Sequence, residues 1–141
     1  MNRRELVLTA LAPSGGAQLS PVQVQKLIFL IDFNVGSLLD GPHFNFRPYH
    51  YGPFDSSIYR EIESLVTQGL AEIVPGPKWK RYRLTPEGLR EGGELLENLP
   101  QDVRKYVVRA VEFVRALSFT ELVSAIYKAH PEMRENSVFQ E

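Results

Sequence analysis

The sequence predicts a mostly α-helical, α+β fold: a winged helix-turn-helix with a two-stranded wing and helices appended on its C-terminal side. Three observations predict it. Helix-start signals at Ser20-Pro21 and Thr85-Pro86 each lead into a helical segment. Two short runs, LAEIV and RYRLT, flank the turn sequence PGPKWK and read as a hairpin. The signals follow one another as helix, helix, irregular strand, helix, hairpin, helix.

Each element has its own justification. Leu6, Val7, Ala10 and Leu11 share one helical face, and the proline and glycines of APSGGAQ end that pattern. Ser20, Pro21 and Gln23 form a capping box with proline at the first helical position. Val24, Leu27, Ile28, Ile31, Val35 and Leu38 then recur at helical spacing, with Phe29, Leu30 and Phe33 widening the apolar band, so this helix is central and Gly41-Pro42 stops it. HFNFRPYHY alternates like a strand, but Pro48 confines it to an edge or an irregular segment. Gly52-Pro53 is a sharp turn from that strand into a helix capped by Asp55, with Ile58, Ile62, Leu65 and Val66 inward and Gly69 at its end. Thr85 caps the helix after the hairpin, which Gly92 and Gly93 weaken in the middle.

Two further helices follow Pro100. Val103, Tyr106, Val107, Ala110, Val114 and Leu117 make an amphipathic stripe, and Ser118 with Glu121 opens a second helix through a capping box. The polar segment HPEMRENSVFQE is expected to fray. Residues 1–99 are therefore the winged-helix core, and residues 100–141 a helical extension. Its stripe packs on the core or pairs two copies as a homodimer; left bare, it would be an aggregation hazard.

Composition narrows the function. The chain has 141 residues, no cysteine and a formal net charge of -1, which fits a reducing cytoplasm and supplies no global positive field for nucleic acid or membrane. The run Leu27 to Ile31 is far shorter than the roughly 20 residues of a membrane span, so no membrane partner is expected.

No catalytic constellation is visible. His43, His50 and His130 lack the close spacing of a helical zinc motif, and PSGG lacks a nucleophile elbow. GPKWKR is not a phosphate loop, and Glu61 and Glu63 diverge on their helix. The expectation is a non-enzyme with no cofactor and no metal.

Nucleic-acid binding is the alternative. Lys78, Lys80, Arg81 and Arg83 crowd the wing around Trp79 and Tyr82 and could neutralise phosphates, or the turn could be merely solvated. The third helix argues against DNA. It carries Asp55, Glu61 and Glu63 against Arg60, and its outward set is Ser56, Arg60, Glu63 and Thr67, leaving Arg60 as the obvious base reader. Arg104, Lys105, Arg109 and Arg115 form either a basic ridge or a solvated face, diluted by Asp102 and Glu112.

LSPVQVQKLIFLIDF, YHYGPFDSSIYREIESLVTQGLAEI and RLTPEGL together resemble the Panacea, or SocA-like, antitoxin domain and its YwgA-like relatives, over roughly residues 19 to 97. Gln25, Lys26 and Leu27 match the helix motif of that group, Tyr51, Gly52 and Pro53 its turn, and Tyr59 its helix tyrosine. The resemblance implies a non-enzymatic module that grips another protein, neutralising a toxin or handing a client to a protease. Phe54 and the segment RPYHY depart from the Panacea pattern and favour the YwgA-like branch.

Tyr49, His50, Tyr51 and Arg60 are the expected partner contacts, because polar-tipped aromatics and arginine suit protein interfaces. Tyr51 and Tyr59 also read as core wedges. Lys26 reads either as an exposed residue or as one whose stem follows the core to a carboxylate such as Asp55 or Glu61.

Overall fold

The computed structural model describes residues 1–140. It is mostly helical, with two small antiparallel hairpins. Helix α1 (Arg3–Leu11) starts in a capping box of Asn2 and Glu5. Helix α2 (Pro21–Val35) starts as the sequence predicts: Ser20 Oγ accepts from the Gln23 N–H at 3.2 Å and Gln23 Oε1 from the Ser20 N–H at 2.9 Å. The α-helix ends at Val35, ahead of Gly41-Pro42, and a 3-10 turn over Gly36–Leu39 carries the chain on. Asp32, buried on α2, receives the N–H groups of His43 and Phe44 and so tethers the loop beyond that turn. By length and composition Pro21–Leu39 could cross a membrane, but most of it is buried inside the fold.

The segment after this loop differs from its reading as one strand followed by a turn. Strands β1 (Arg47–Tyr49) and β2 (Gly52–Phe54) form an antiparallel hairpin whose tip is His50-Tyr51. Pro48 faces Pro53 across the ladder, at the alternate type of pair that needs no N–H donors, which lets two prolines share so short a sheet. Gly52 has φ 112, where a side chain is strained. The turn into helix α3 (Ser57–Thr67) comes one step later. There the Asp55 carboxylate accepts from the Ser57 N–H at 2.9 Å and the Asn45 N–H at 2.8 Å, doing the capping work although Ser56 is the boundary residue.

Ile58, Ile62 and Leu65 of α3 are fully buried, Val66 is half-buried, and Arg60, Glu63 and Thr67 face solvent. Strands β3 (Ala71–Val74) and β4 (Arg81–Leu84) form the expected hairpin, in register Ala71 to Leu84. Leu19, just before α2, joins it by a reciprocal pair of backbone bonds with Tyr82, at 2.8 and 2.9 Å. Helix α4 (Pro86–Glu97) is capped by Thr85. A Cβ on Gly88 would lie 1.9 Å from the Leu70 carbonyl oxygen, and one on Gly92 would lie 2.6 Å from that of Leu8. Gly92, which weakens the helix in isolation, is therefore what lets α4 lie against α1.

Helices α5 (Gln101–Ala116) and α6 (Phe119–Ala129) complete the order. Val103, Val107, Val111 and Val114 of α5 join the same hydrophobic core as α1 and α2. The stripe is thus covered within the chain. Lys105, Arg109 and Arg115 stay exposed on the other side. The segment expected to fray is instead tied down. His130 packs edge-on against Phe29 and Phe33, the Val138 N–H donates to the His50 carbonyl at 2.9 Å, and Phe139 packs on Phe119 and Tyr127.

Candidate functional site

Residues Gln25 and Lys26 stand on the face of α2 that meets the β1–β2 hairpin, and both are buried. Gln25 holds the Asp55 backbone from both ends of its amide. Its Nε2 donates to the Asp55 carbonyl at 2.9 Å, and its Oε1 accepts from the Asp55 N–H at 3.0 Å. This two-way clamp fixes the junction between β2 and α3 to the central helix. Burial acts to raise the Asp55 carboxyl pKa, but its bonds from Ser57 and Asn45 prevail and leave it below the ordinary value.

Lys26 does not meet Asp55 or Glu61, and it is not exposed. Its side chain passes under Gly52, and its Nζ donates to the Pro53 carbonyl at 3.5 Å, a long and weak bond. Burial pushes its ammonium down to about 7, because a charge withdrawn from water without an anionic partner is destabilised. A Cβ on residue 52 would come within 3.3 Å of Lys26 Cε and 3.4 Å of Nζ. Gly52 is thus the lid over the amine as well as a backbone specialist.

Above Lys26 opens a cleft of about 180 Å³. Tyr49, His50 and Tyr51 wall it on the hairpin side and Tyr59 on the α3 side. Tyr49 stacks on His50 at 4.1 Å and on Phe54 at 4.8 Å. Tyr59 stacks on Tyr82 at 5.7 Å, and burial raises its phenol pKa. Tyr127 of α6 and the segment Asn136–Val138 brace the hairpin tip from behind, through bonds to the carbonyls of Pro48 and His50.

A second depression of about 640 Å³ adjoins the cleft, sharing Pro21, Val22 and Tyr51 with it. Its lining is mostly apolar. Trp79 and Arg81 enter from the β3–β4 hairpin, and Leu117, Phe119 and Leu122 from the α5–α6 corner. Tyr51, Trp79 and Phe119 are 39%, 51% and 45% exposed, although large apolar side chains are ordinarily covered.

The remaining predicted residues lie apart. Leu27 is in the core, and Pro53 is buried in β2. Arg60 is exposed on α3 and lines neither depression. Lys78 and Lys80 are exposed at the β3–β4 tip. Arg83 is paired with Glu72 at 2.8 Å across the ladder. Sequence reasoning passed over Leu117, Phe119 and Leu122 as site residues, since only folding of the α5–α6 corner brings them beside Tyr51. Among the described residues no group of three or more His, Asp or Glu converges as a metal site.

No protein-family model matches this chain, and no curated protein matches it. The resemblance in the Q-K-L and Y-G-P segments rests on the residues themselves. Those segments meet in space: Gln25 clamps Asp55, and Lys26 lies under Gly52 and Pro53.

Proposed function

We propose that the chain is a non-enzymatic protein-binding module built on a winged helix, acting in an antitoxin or defence setting in the cytoplasm. The winged-helix reading is supported by Leu19, whose bridge to Tyr82 supplies a minimal first strand beside the β3–β4 wing. In this reading the β1–β2 hairpin is an insertion between the second and third helices. The partner is a polypeptide, such as a toxin or a protease client in line with the resemblance.

The observation that carries the proposal is the apolar groove at Tyr51, Trp79 and Phe119. Three partly exposed aromatics from separate elements converge there on one concave surface, and such anchors contribute most at protein interfaces. The test is affinity capture from the native host at 0.15 and 0.5 M salt, approximate values chosen to screen charge, followed by rebinding of the purified partner. A partner retained at high salt and lost with Trp79→Ser or Phe119→Ser is the expected result. Equal retention by both variants refutes the groove.

DNA binding is the second reading, favoured by the exposed Lys78 and Lys80 at the wing tip and by Arg60. Glu63 counts against it, being exposed on the same helix face as Arg60 and near enough to Tyr82 to raise its phenol pKa alongside burial. A duplex shift that is lost when Lys78, Lys80 and Arg81 are neutralised, and that weakens steeply with salt, would establish it.

A further inference from the structure

Among the described residues Lys26 is the one buried basic side chain. The other buried charge, Asp32, is occupied by the His43 and Phe44 N–H groups. None of the chain's ion pairs involves Lys26 among those residues. An ammonium carries three donors, and Lys26 uses one, on a carbonyl 3.5 Å away. Lys26 lines an aromatic-walled cleft that opens beside an apolar groove, with its amine just beneath Gly52. A buried cation without a counter-ion, on a side chain that lines an opening, is complementary to an anion supplied from outside.

We propose that Lys26 and its cleft are a receptor for a carboxylate presented by a partner polypeptide, the acidic side chain entering the cleft while a neighbouring apolar side chain fills the adjoining groove. This inference rests on the protein-binding reading and names its recognition chemistry. A carboxylate suits the site because it is compact and accepts charge-assisted hydrogen bonds. The cleft, at about 180 Å³, has the volume of roughly six waters at about 30 Å³ each. An apolar side chain seated in the adjoining groove would cover the cleft mouth, and an ion pair formed away from water is strengthened. Apolar Leu117, Phe119 and Leu122 in the groove favour a polypeptide over a nucleic-acid backbone.

Binding of this kind takes the charged amine, so it is linked to protonation. With the free amine titrating at about 7, affinity is flat from about pH 5, above the ordinary carboxyl range, up to about pH 7, and falls by about tenfold per pH unit beyond it. The titratable groups facing the amine are Tyr49, His50 and Tyr51 on the hairpin, Tyr59 on α3 and Tyr127 on α6; the Asp55 carboxylate is held by Ser57 and Asn45.

The test uses two probes on the full chain. One is 3-phenylpropionate against its amide, followed by chemical-shift titration. The other is a set of peptides selected from a random display library and resynthesised with each acid replaced by its amide. The selected peptides are expected to carry an acid beside an aromatic or aliphatic residue. Amide replacement and Lys26→Met each weaken binding at least about tenfold, the two changes together weaken it no further, and Lys26→Gln behaves like Lys26→Met. The fall above pH 7 persists in His50→Gln, whatever that change does to affinity itself. Peptides that bind regardless of their acids or of Lys26 overturn this inference and leave the protein-binding reading standing. Binding of phenylpropionate through Lys26 with no peptide bound overturns the polypeptide source, while the protein-binding reading keeps its own test in capture from the host. Binding of neither probe overturns the receptor.

Discussion

Replacing Lys26 by methionine is expected to stabilise the unliganded protein. Methionine keeps an unbranched stem and removes the ammonium. The folded amine titrates at about 7 against an ordinary 10.5. At about 1.36 kcal/mol per pH unit, that difference amounts to about 5 kcal/mol for burying the charge. Losing the long bond to the Pro53 carbonyl costs about 1 kcal/mol, so the variant should gain about 4 kcal/mol at pH 6. The sign of the pH dependence follows from proton counting. Between pH 7 and 10.5 the unfolded chain holds the proton that the folded chain has released, so wild-type stability rises with pH there. The burial penalty is present in full below pH 7, declines through that window and vanishes above 10.5. Urea unfolding of both proteins at pH 6, 8 and 10 measures it. With a slope of about 2 kcal/mol per molar, the midpoint of the variant should lie about 2 M higher at pH 6, with the gap closing as pH rises. A variant no more stable than wild type at pH 6, or a gap indifferent to pH, refutes the uncompensated buried charge.

Two further substitutions address the hairpin that covers this amine. Gly52→Ala puts a Cβ at φ 112 and against Lys26, and should cost about 1 to 3 kcal/mol, read as a lowered urea midpoint. Gln25→Ala removes both bonds to the Asp55 backbone and should cost about 2 to 3 kcal/mol. Its specific signature is accelerated hydrogen exchange at the Asp55 amide; unchanged protection there would show that the clamp is dispensable.

Helix starts were legible in the sequence because capping is local. Ser20 with Gln23 and Ser118 with Glu121 make in space the contacts that their three-residue spacing implies. The β3–β4 hairpin was legible for the same reason, its turn lying between its own strands. The β1–β2 hairpin was not. Prolines argue locally against strands, and the pairing that accommodates Pro48 depends on Pro53 standing opposite it. Lys26 was ambiguous because α2 is apolar nearly all round, and which of its faces is covered depends on what packs there. The fixed conformation of Asn136–Phe139 was hidden because its partners, Pro48, His50 and Phe119, lie far back in the chain.

That last attachment has a bearing on how the molecule is made. The hairpin tip is held through backbone carbonyls by a segment synthesised after every helix of the fold. As the chain emerges, α1 to α4 and their hairpins come first, while the outer brace of the cleft waits for residues 136–139. Until those residues are added, Tyr127 of α6 alone reaches the His50 carbonyl from the C-terminal side, so the hairpin that carries Tyr49 and His50 is fully braced only after α6 has been made.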